Sequence, residues 1–413
     1  MLPIHINAIM RRRVLPVVAL VLCSSLFART SRAADEPTAR LAVEPALQKL
    51  VDDGKIAGAV ALVARNGKAA DVTVVGYRDL AHKTPMTEDT IFAIMSMTKP
   101  ITCAAAMTLV EQGKLGLDDP VAKYLPELKD MRVLGDAKDD TATEIATVLA
   151  KQPMTVRHLL AHTAGFTYGG LMGNARLDKA YQAARVEDPM TKTLAEQVAR
   201  LAKVPLVHQP GEGWSYGLNH DVLGRVVEVV SGQSLNMYLQ EKILGPLGMN
   251  DTSYLVPEAK RDRVATTYTA AGGTLAPLPK NYGSATFFAG GAGLFSTARD
   301  YARFCRMLLD GGTLDGARIL KPETIALMTT SQIGEIHARI GDIDVGKYGL
   351  GFGVSTTPGS NGGPPILHSY GWAGYYSTFF RIVPPRATVG ILMTQVVPTN
   401  YAKTNEILAG AVE

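Results

Sequence analysis

Met95-Ser96-Met97-Thr98-Lys99-Pro100 opens an apolar run, Ile101-Thr102-Cys103-Ala104-Ala105-Ala106-Met107-Thr108-Leu109, that ends at Gln112-Gly113. The spacing predicts a helix from about Met95 to Gln112, with Gly113 as its C-terminal stop. Pro100 restricts the register, because a proline deeper in a helix costs ~3 kcal/mol. Ser96 therefore falls in the first turn, where backbone N–H groups and the positive end of the helix dipole favour negative charge. Ser96 and Lys99 are i and i+3, so one face carries both side chains. A serine hydroxyl needs a base to become a nucleophile, and a lysine desolvated in a cleft can lose its proton and act as one. A serine, two residues and a lysine also recur by chance as an N-cap followed by a surface lysine, so residues elsewhere must decide.

Outward from this stretch, strand and helix patterns separate. Residues 38–51 read as a helix, with Pro45 marking a kink or a later start. Residues 57–64 and 72–77 read as strands joined by Asn66-Gly67, a hairpin signal because both residues tolerate positive φ. Residues 101–341 are mostly helical and rich in loops. Strand patterns return at 348–354, 375–383 and 387–395, with Pro384-Pro385 at a turn, and Tyr401–Val412 closes as a helix. The expectation is an α+β fold: one antiparallel sheet built from both ends of the chain (34–100 and 342–413), flanked by helices, with an inserted mainly helical domain at 101–341. A cleft between the two is the natural place for a site.

The chain has 413 residues, 46% hydrophobic and 19% charged, which is ample for a large core and excludes wholesale disorder. A net charge of +4, spread without a basic stripe, excludes a nucleic-acid partner as the expectation. Arg11-Arg12-Arg13, the apolar run 14–28 and Ser31-Arg32-Ala33 have the form of a signal peptide at 1–33, cleaved after Ala33. The chain is thus expected to be exported to a bacterial periplasm or secreted, without stable membrane insertion once the signal is removed. Cys103 and Cys305 sit in apolar helical patterns far apart in sequence and read as buried free thiols.

Two further segments could complete the site. In Trp214-Ser215-Tyr216-Gly217-Leu218-Asn219-His220-Asp221, Tyr216 stands at a loop-to-helix junction, where its phenol could sit beside Ser96 and Lys99 and move a proton. In His368-Ser369-Tyr370-Gly371-Trp372-Ala373-Gly374-Tyr375, Gly374 would let substrate approach the backbone. The Tyr375 N–H could then share an oxyanion with the Ser96 N–H. Tyr168, just past the Gly165 turn, is a candidate to line the cleft.

These motifs, in this order, resemble the serine β-lactamase and penicillin-binding protein superfamily, in particular its class C-like branch that includes family VIII carboxylesterases. Residues 155–165 and 290–297 support the resemblance, which spans nearly the whole mature chain. It implies that Ser96 is the acylated nucleophile, Lys99 its base and Tyr216 the third catalytic residue, and that Trp372-Ala373-Gly374 replaces a Lys-Thr-Gly strand motif. Class C-like β-lactamases carry Tyr-x-Asn, where this chain has Leu218, and a Lys where it has Trp372. Loss of that cation removes a charge-assisted contact of roughly 1.5–3 kcal/mol. With the Tyr-x-x-x-x-Asp run ending at Asp221, the resemblance implies hydrolysis of short acyl esters through an acyl-enzyme. Slow β-lactam hydrolysis would be a side activity, and no cofactor or metal is implied. Small esters or β-lactam-like molecules are the implied partners; a β-lactamase or D-amino acid peptidase of the same fold, or a non-catalytic peptidoglycan or β-lactam binder, are the alternatives.

Other readings compete. Gly213-Trp214-Ser215-Tyr216-Gly217 matches the G-x-S-x-G nucleophile elbow, with His368 available for a triad. That motif needs a strand before it, and Gln209-Pro210-Gly211-Glu212 is loop chemistry. His158 and His162 have a zinc-compatible i, i+4 spacing, but Leu159 stands where H-E-x-x-H has its Glu. Gly290-Gly291-Ala292-Gly293 reads as a tight structural loop rather than a dinucleotide fingerprint.

Overall fold

Gly58–Arg65 (β1) is apolar on both faces, and all of it but Arg65 is buried, the pattern of a strand covered on both sides. Val60, Leu62 and Ala64 face one core. Ala59, Ala61 and Val63 face another, beneath Leu47 and Leu50 of Ala39–Asp52 (α1) and Leu408 and Val412 of Tyr401–Val412 (α5). The computed structural model describes residues 39–66, 70–135, 145–169, 175–188, 190–270, 273–357, 359, 365–397 and 401–412. The expected signal segment at 1–33 and Gly67 of the expected hairpin lie outside the described residues.

β1 sits inside a nine-stranded sheet. In chain order its partners are Asp71–Asp79 (β2), Thr84–Pro85 (β3), Ala338–Ile340 (β4), Ile343–Tyr348 (β5), Gly353–Thr357 (β6), Ile366–Gly374 (β7), Thr378–Val383 (β8) and Thr388–Met393 (β9). Their spatial order is β4-β5-β6-β7-β8-β9-β1-β2-β3, with antiparallel neighbours throughout. Strands from both ends of the sequence meet where β1 pairs with β9, Val60 opposite Met393 and Arg65 opposite Thr388. The fold is α+β, with one antiparallel sheet built from both ends of the chain, as the sequence patterns implied.

Helices cover the second face. Ala298–Leu309 (α4) packs on β1 and β9, burying Tyr301, Phe304 and Met307. Thr98–Glu111 (α2) is buried on nearly every side, as expected of a helix apolar all round. It packs against Asn219–Ser231 (α3). Two elements of the 101–341 stretch therefore take part in the sheet layer: α4 lies on the sheet, and β4 joins its edge before residue 342.

Three expected elements differ. Residues 348–354 are not one strand: Tyr348 ends β5 and Gly353 starts β6, and the chain turns through Gly351 at φ 94°. Residues 375–383 split likewise. Tyr375–Ser377 is the turn between β7 and β8, closed by Ser377 N–H donating to Gly374 C=O at 3.1 Å with Ser377 at φ 63°. Strand-favouring tyrosines there are overridden by the register of the hairpin. The first helix runs through Pro45 without a break.

Candidate active site

A single 3₁₀ turn, Met95–Met97, carries Ser96 and feeds directly into α2. Met95 enters it at φ 47°, a costly conformation for a side-chain-bearing residue. Lys99, one residue into α2, has no exposed surface. Its Nζ lies 3.0 Å from Ser96 Oγ, 3.0 Å from the Tyr168 hydroxyl and 2.8 Å from Gly291 C=O, to which it donates. The i, i+3 pairing seen in sequence thus meets in space, with the amine out of water.

The glycine run 290–293 supplies the backbone around that amine. Thr102 Oγ1 donates to Gly290 C=O at 2.8 Å and Leu294 N–H donates to Thr98 Oγ1 at 3.2 Å, stitching the loop to α2. Glycine is required at 290, because a Cβ there would stand 2.0 Å from His220 C=O. At 291 it would stand 2.6 Å from Asp221 Oδ2 and 3.0 Å from the Tyr168 hydroxyl. The run is the tight structural loop expected, and it also holds the lysine.

Aromatic side chains wall the amine. Tyr216 lies in the loop before α3 and presents its ring face to Lys99 Nζ, 4.6 Å from the centroid. Its phenolic oxygen accepts from Trp372 Nε1 at 3.3 Å. No Tyr216 hydroxyl bond to Ser96 or Lys99 is formed; the phenol bonded to Lys99 is that of Tyr168, which sequence reasoning treated only as a cleft-lining residue. Trp372 is on β7 opposite Phe380, and its ring packs on Tyr216 and Tyr348.

Burial sets the electrostatics. Asp221, in the first turn of α3, accepts from Gly291 N–H at 3.2 Å, and desolvation raises its carboxyl from 3.8 to about 6 against the opposing pull of Lys99. Burial pushes the Tyr168 phenol upward, reinforced by Asp221. The His162 and His220 rings pack tilted against each other with centroids 4.4 Å apart, both fully buried. Burial holds both well below the ordinary histidine range, and Lys99 pushes in the same direction. His162, His220 and Gly291 went unnoticed as parts of the site, since isolated residues in an Asn-His-Asp or Gly-Gly string carry no sign of what faces them.

The third segment closes the opposite side. Residues 95–97 pack against β7 and β8, and Thr378 Oγ1 donates to Ile94 C=O at 3.3 Å. A Cβ on Gly374 would stand 2.3 Å from the same carbonyl, so the backbone of β7 runs hard against the segment bearing Ser96. Tyr375 follows at the start of the turn, 41% exposed.

The competing candidates fall elsewhere. Ser215 lies in a loop with no strand before it, and its Oγ is within 3.1 Å of both Phe166 C=O and His208 Nε2. His158 and His162 do not share a helix face: the helix Val156–Leu160 ends first, and His162 turns away at φ 59°. Among the described residues no group of three metal-ligating side chains is present. Cys103 and Cys305 are buried free thiols, and burial pushes both upward, away from the reactive thiolate.

Comparison with known proteins agrees with this architecture. The family model described as Beta-lactamase matches residues 43–412, and the chain belongs to that family. It is an enzyme of the β-lactamase-fold hydrolase family. Among its relatives is Protein Rv1367c of Mycobacterium tuberculosis, 36% identical, covering 89% of this chain and 92% of that protein. Another is Esterase EstB of Burkholderia gladioli, 32% identical, covering 78% and 81%. Among solved structures, "EstCE1, a hydrolase with promiscuous acyltransferase activity" superposes with a TM-score of 0.73 at 28% identity, covering 91% of this chain and 98% of that one.

Proposed function

We propose that this chain hydrolyses carboxylic esters through an acyl-enzyme on Ser96. The observation that carries this reading is the buried Lys99 amine 3.0 Å from Ser96 Oγ. In its amine form Lys99 takes the Ser96 proton as Oγ bonds to the ester carbonyl carbon. The carbonyl oxygen becomes an oxyanion between the N–H groups of Ser96 and Tyr375. As the tetrahedral adduct collapses, the carbon–alkoxy bond breaks. The proton collected by Lys99 ends on the departing alcohol, to which the Tyr216 hydroxyl also donates a hydrogen bond. Trp372 Nε1 donates to the Tyr216 oxygen, which leaves the phenolic proton for the alcohol. Water then repeats the sequence on the acyl-enzyme. Tyr168, bonded to Lys99, keeps the amine aimed at Ser96.

The relatedness to Esterase EstB and to the EstCE1 hydrolase supports ester chemistry. An indole where β-lactam binders carry a cation disfavours anionic lactams and D-Ala peptides, leaving β-lactam hydrolysis a slow side reaction. A fluorophosphonate probe tests the reading. A single adduct on Ser96, lost in Ser96→Ala, is the expected result. Absence of any adduct on the intact chain would make this a binding protein. Export is proposed with it, on the pattern at 1–33; N-terminal sequencing of the mature protein should begin at Ala34.

A further inference from the structure

A cavity of about 590 Å³ adjoins the segment that bears Ser96, through Met95, and falls within the roughly 300–1,000 Å³ range of pockets that take drug-sized molecules. It touches chain neighbours of three pieces of the site: Met95 before Ser96, Ala292 and Gly293 after Gly291, and Tyr376 after Tyr375. Leu278 and Phe287 are among its apolar lining residues. Neither Ser96 itself nor Lys99, Tyr168, Tyr216 or Trp372 lines it, so the residues proposed to handle the leaving alcohol lie outside it. Its charged and amide side chains are engaged: Asn281 Oδ1 accepts from Gly283 N–H at 2.8 Å. Lys280 Nζ is 3.3 Å from Asp79, and Gln395 Nε2 donates to Ala93 C=O at 3.0 Å and to Thr394 C=O at 2.8 Å.

From this arrangement we infer that the cavity receives the acyl half of the ester, and that the preferred acyl group is uncharged, apolar and of medium length rather than a two- to four-carbon group. The inference rests on the ester-hydrolysis reading above, because it is the leaving alcohol's path past Tyr216 that assigns the cavity to the acyl side. An acetyl group would reach little of the space, whereas each methylene moved from water into an apolar wall is worth about 0.8 kcal/mol, or about fourfold in kcat/KM.

The test is a series of p-nitrophenyl acetate, butyrate and octanoate, which hold the leaving group constant, on the wild-type chain, Leu278→Trp and Leu278→Asp. The first variant fills the cavity; the second keeps its size and puts a charge in its wall. For the wild type, kcat/KM should rise at least tenfold from acetate to octanoate. Both variants should lower octanoate turnover at least tenfold and leave acetate within about twofold. Loss of acetate and octanoate together in both variants, or of neither, would overturn the assignment, as would a wild-type preference for acetate. If acetate is cleaved in a Ser96-dependent way without a gain for octanoate, the cavity proposal fails and the esterase reading stands; if no ester is cleaved, both fall.

Discussion

Trp372 on β7 and Tyr216 in the loop before α3 are joined by one hydrogen bond, indole nitrogen to phenolic oxygen, 3.3 Å long. The residue standing where a substrate-binding cation is expected is therefore also an orienting partner of the phenol proposed to hydrogen-bond the leaving alcohol. Trp372→Phe keeps the apolar wall and removes the donor, so kcat for p-nitrophenyl butyrate should fall about tenfold with little change in KM, the cost of one lost hydrogen bond of ~1–1.5 kcal/mol. Trp372→Lys should in addition raise turnover of nitrocefin relative to the ester. Unchanged kcat in the first and unchanged selectivity in the second would remove both roles.

Ser96→Ala and Lys99→Ala should each lower ester hydrolysis by at least about 10²–10⁴-fold, the range of a lost nucleophile or base. Ser215→Ala should leave it within about twofold, although Ser215 touches His208. Steady-state assays on the three purified variants decide. The reverse pattern would move the nucleophile to Ser215.

Gly374→Ala brings a methyl group within 2.2 Å of Thr378 Oγ1 and 2.3 Å of Ile94 C=O, forcing β7 away from the Ser96 segment. The expected result is at least a tenfold loss of kcat with the fluorophosphonate adduct forming more slowly, in a protein whose circular dichroism is unchanged. Full activity would show that the backbone there tolerates the shift and that no oxyanion site is built on it.

Asp221 gives a pH signature. Its carboxyl titrates near 6 when folded against 3.8 as the ordinary value, so the folded state holds the proton more tightly. Its contribution is then fully favourable below about pH 4 and is lost as pH rises through about 6, up to about 3 kcal/mol in all. Asp221→Asn, which keeps an acceptor for Gly291 N–H, removes this dependence. Urea unfolding at pH 4.5 and 7.5 should show the variant gaining on the wild type at the higher pH. An equal difference at both values would mean that Asp221 is not buried as a neutral acid.

Legibility differed sharply between elements. The buried strand β1, helix α2 and the Ser96–Lys99 pairing were readable because each is a local pattern: an unbroken apolar run, a helical apolar period ended by Gly113, and a spacing that puts two side chains on one helix face. The turn at 375–377 was misread as strand because Tyr375 and Tyr376 favour strands locally, while hairpin register, a long-range property, placed them at the bend. His162 looked like half of a metal pair only while the helix was assumed to continue past Leu160.

By itself the sequence determined that a serine and a lysine would share the start of a buried helix, and that strands from both ends of the chain would flank a helical middle. Those outcomes follow from periodicity and from the cost of exposing apolar surface. Only the tertiary structure decided which phenol bonds the lysine, that the third partner of its amine is the carbonyl of Gly291, and that the site adjoins a roomy apolar cavity. Such facts depend on the approach of segments tens to hundreds of residues apart, where an ångström separates a hydrogen bond from a ring contact and no local pattern encodes the distance.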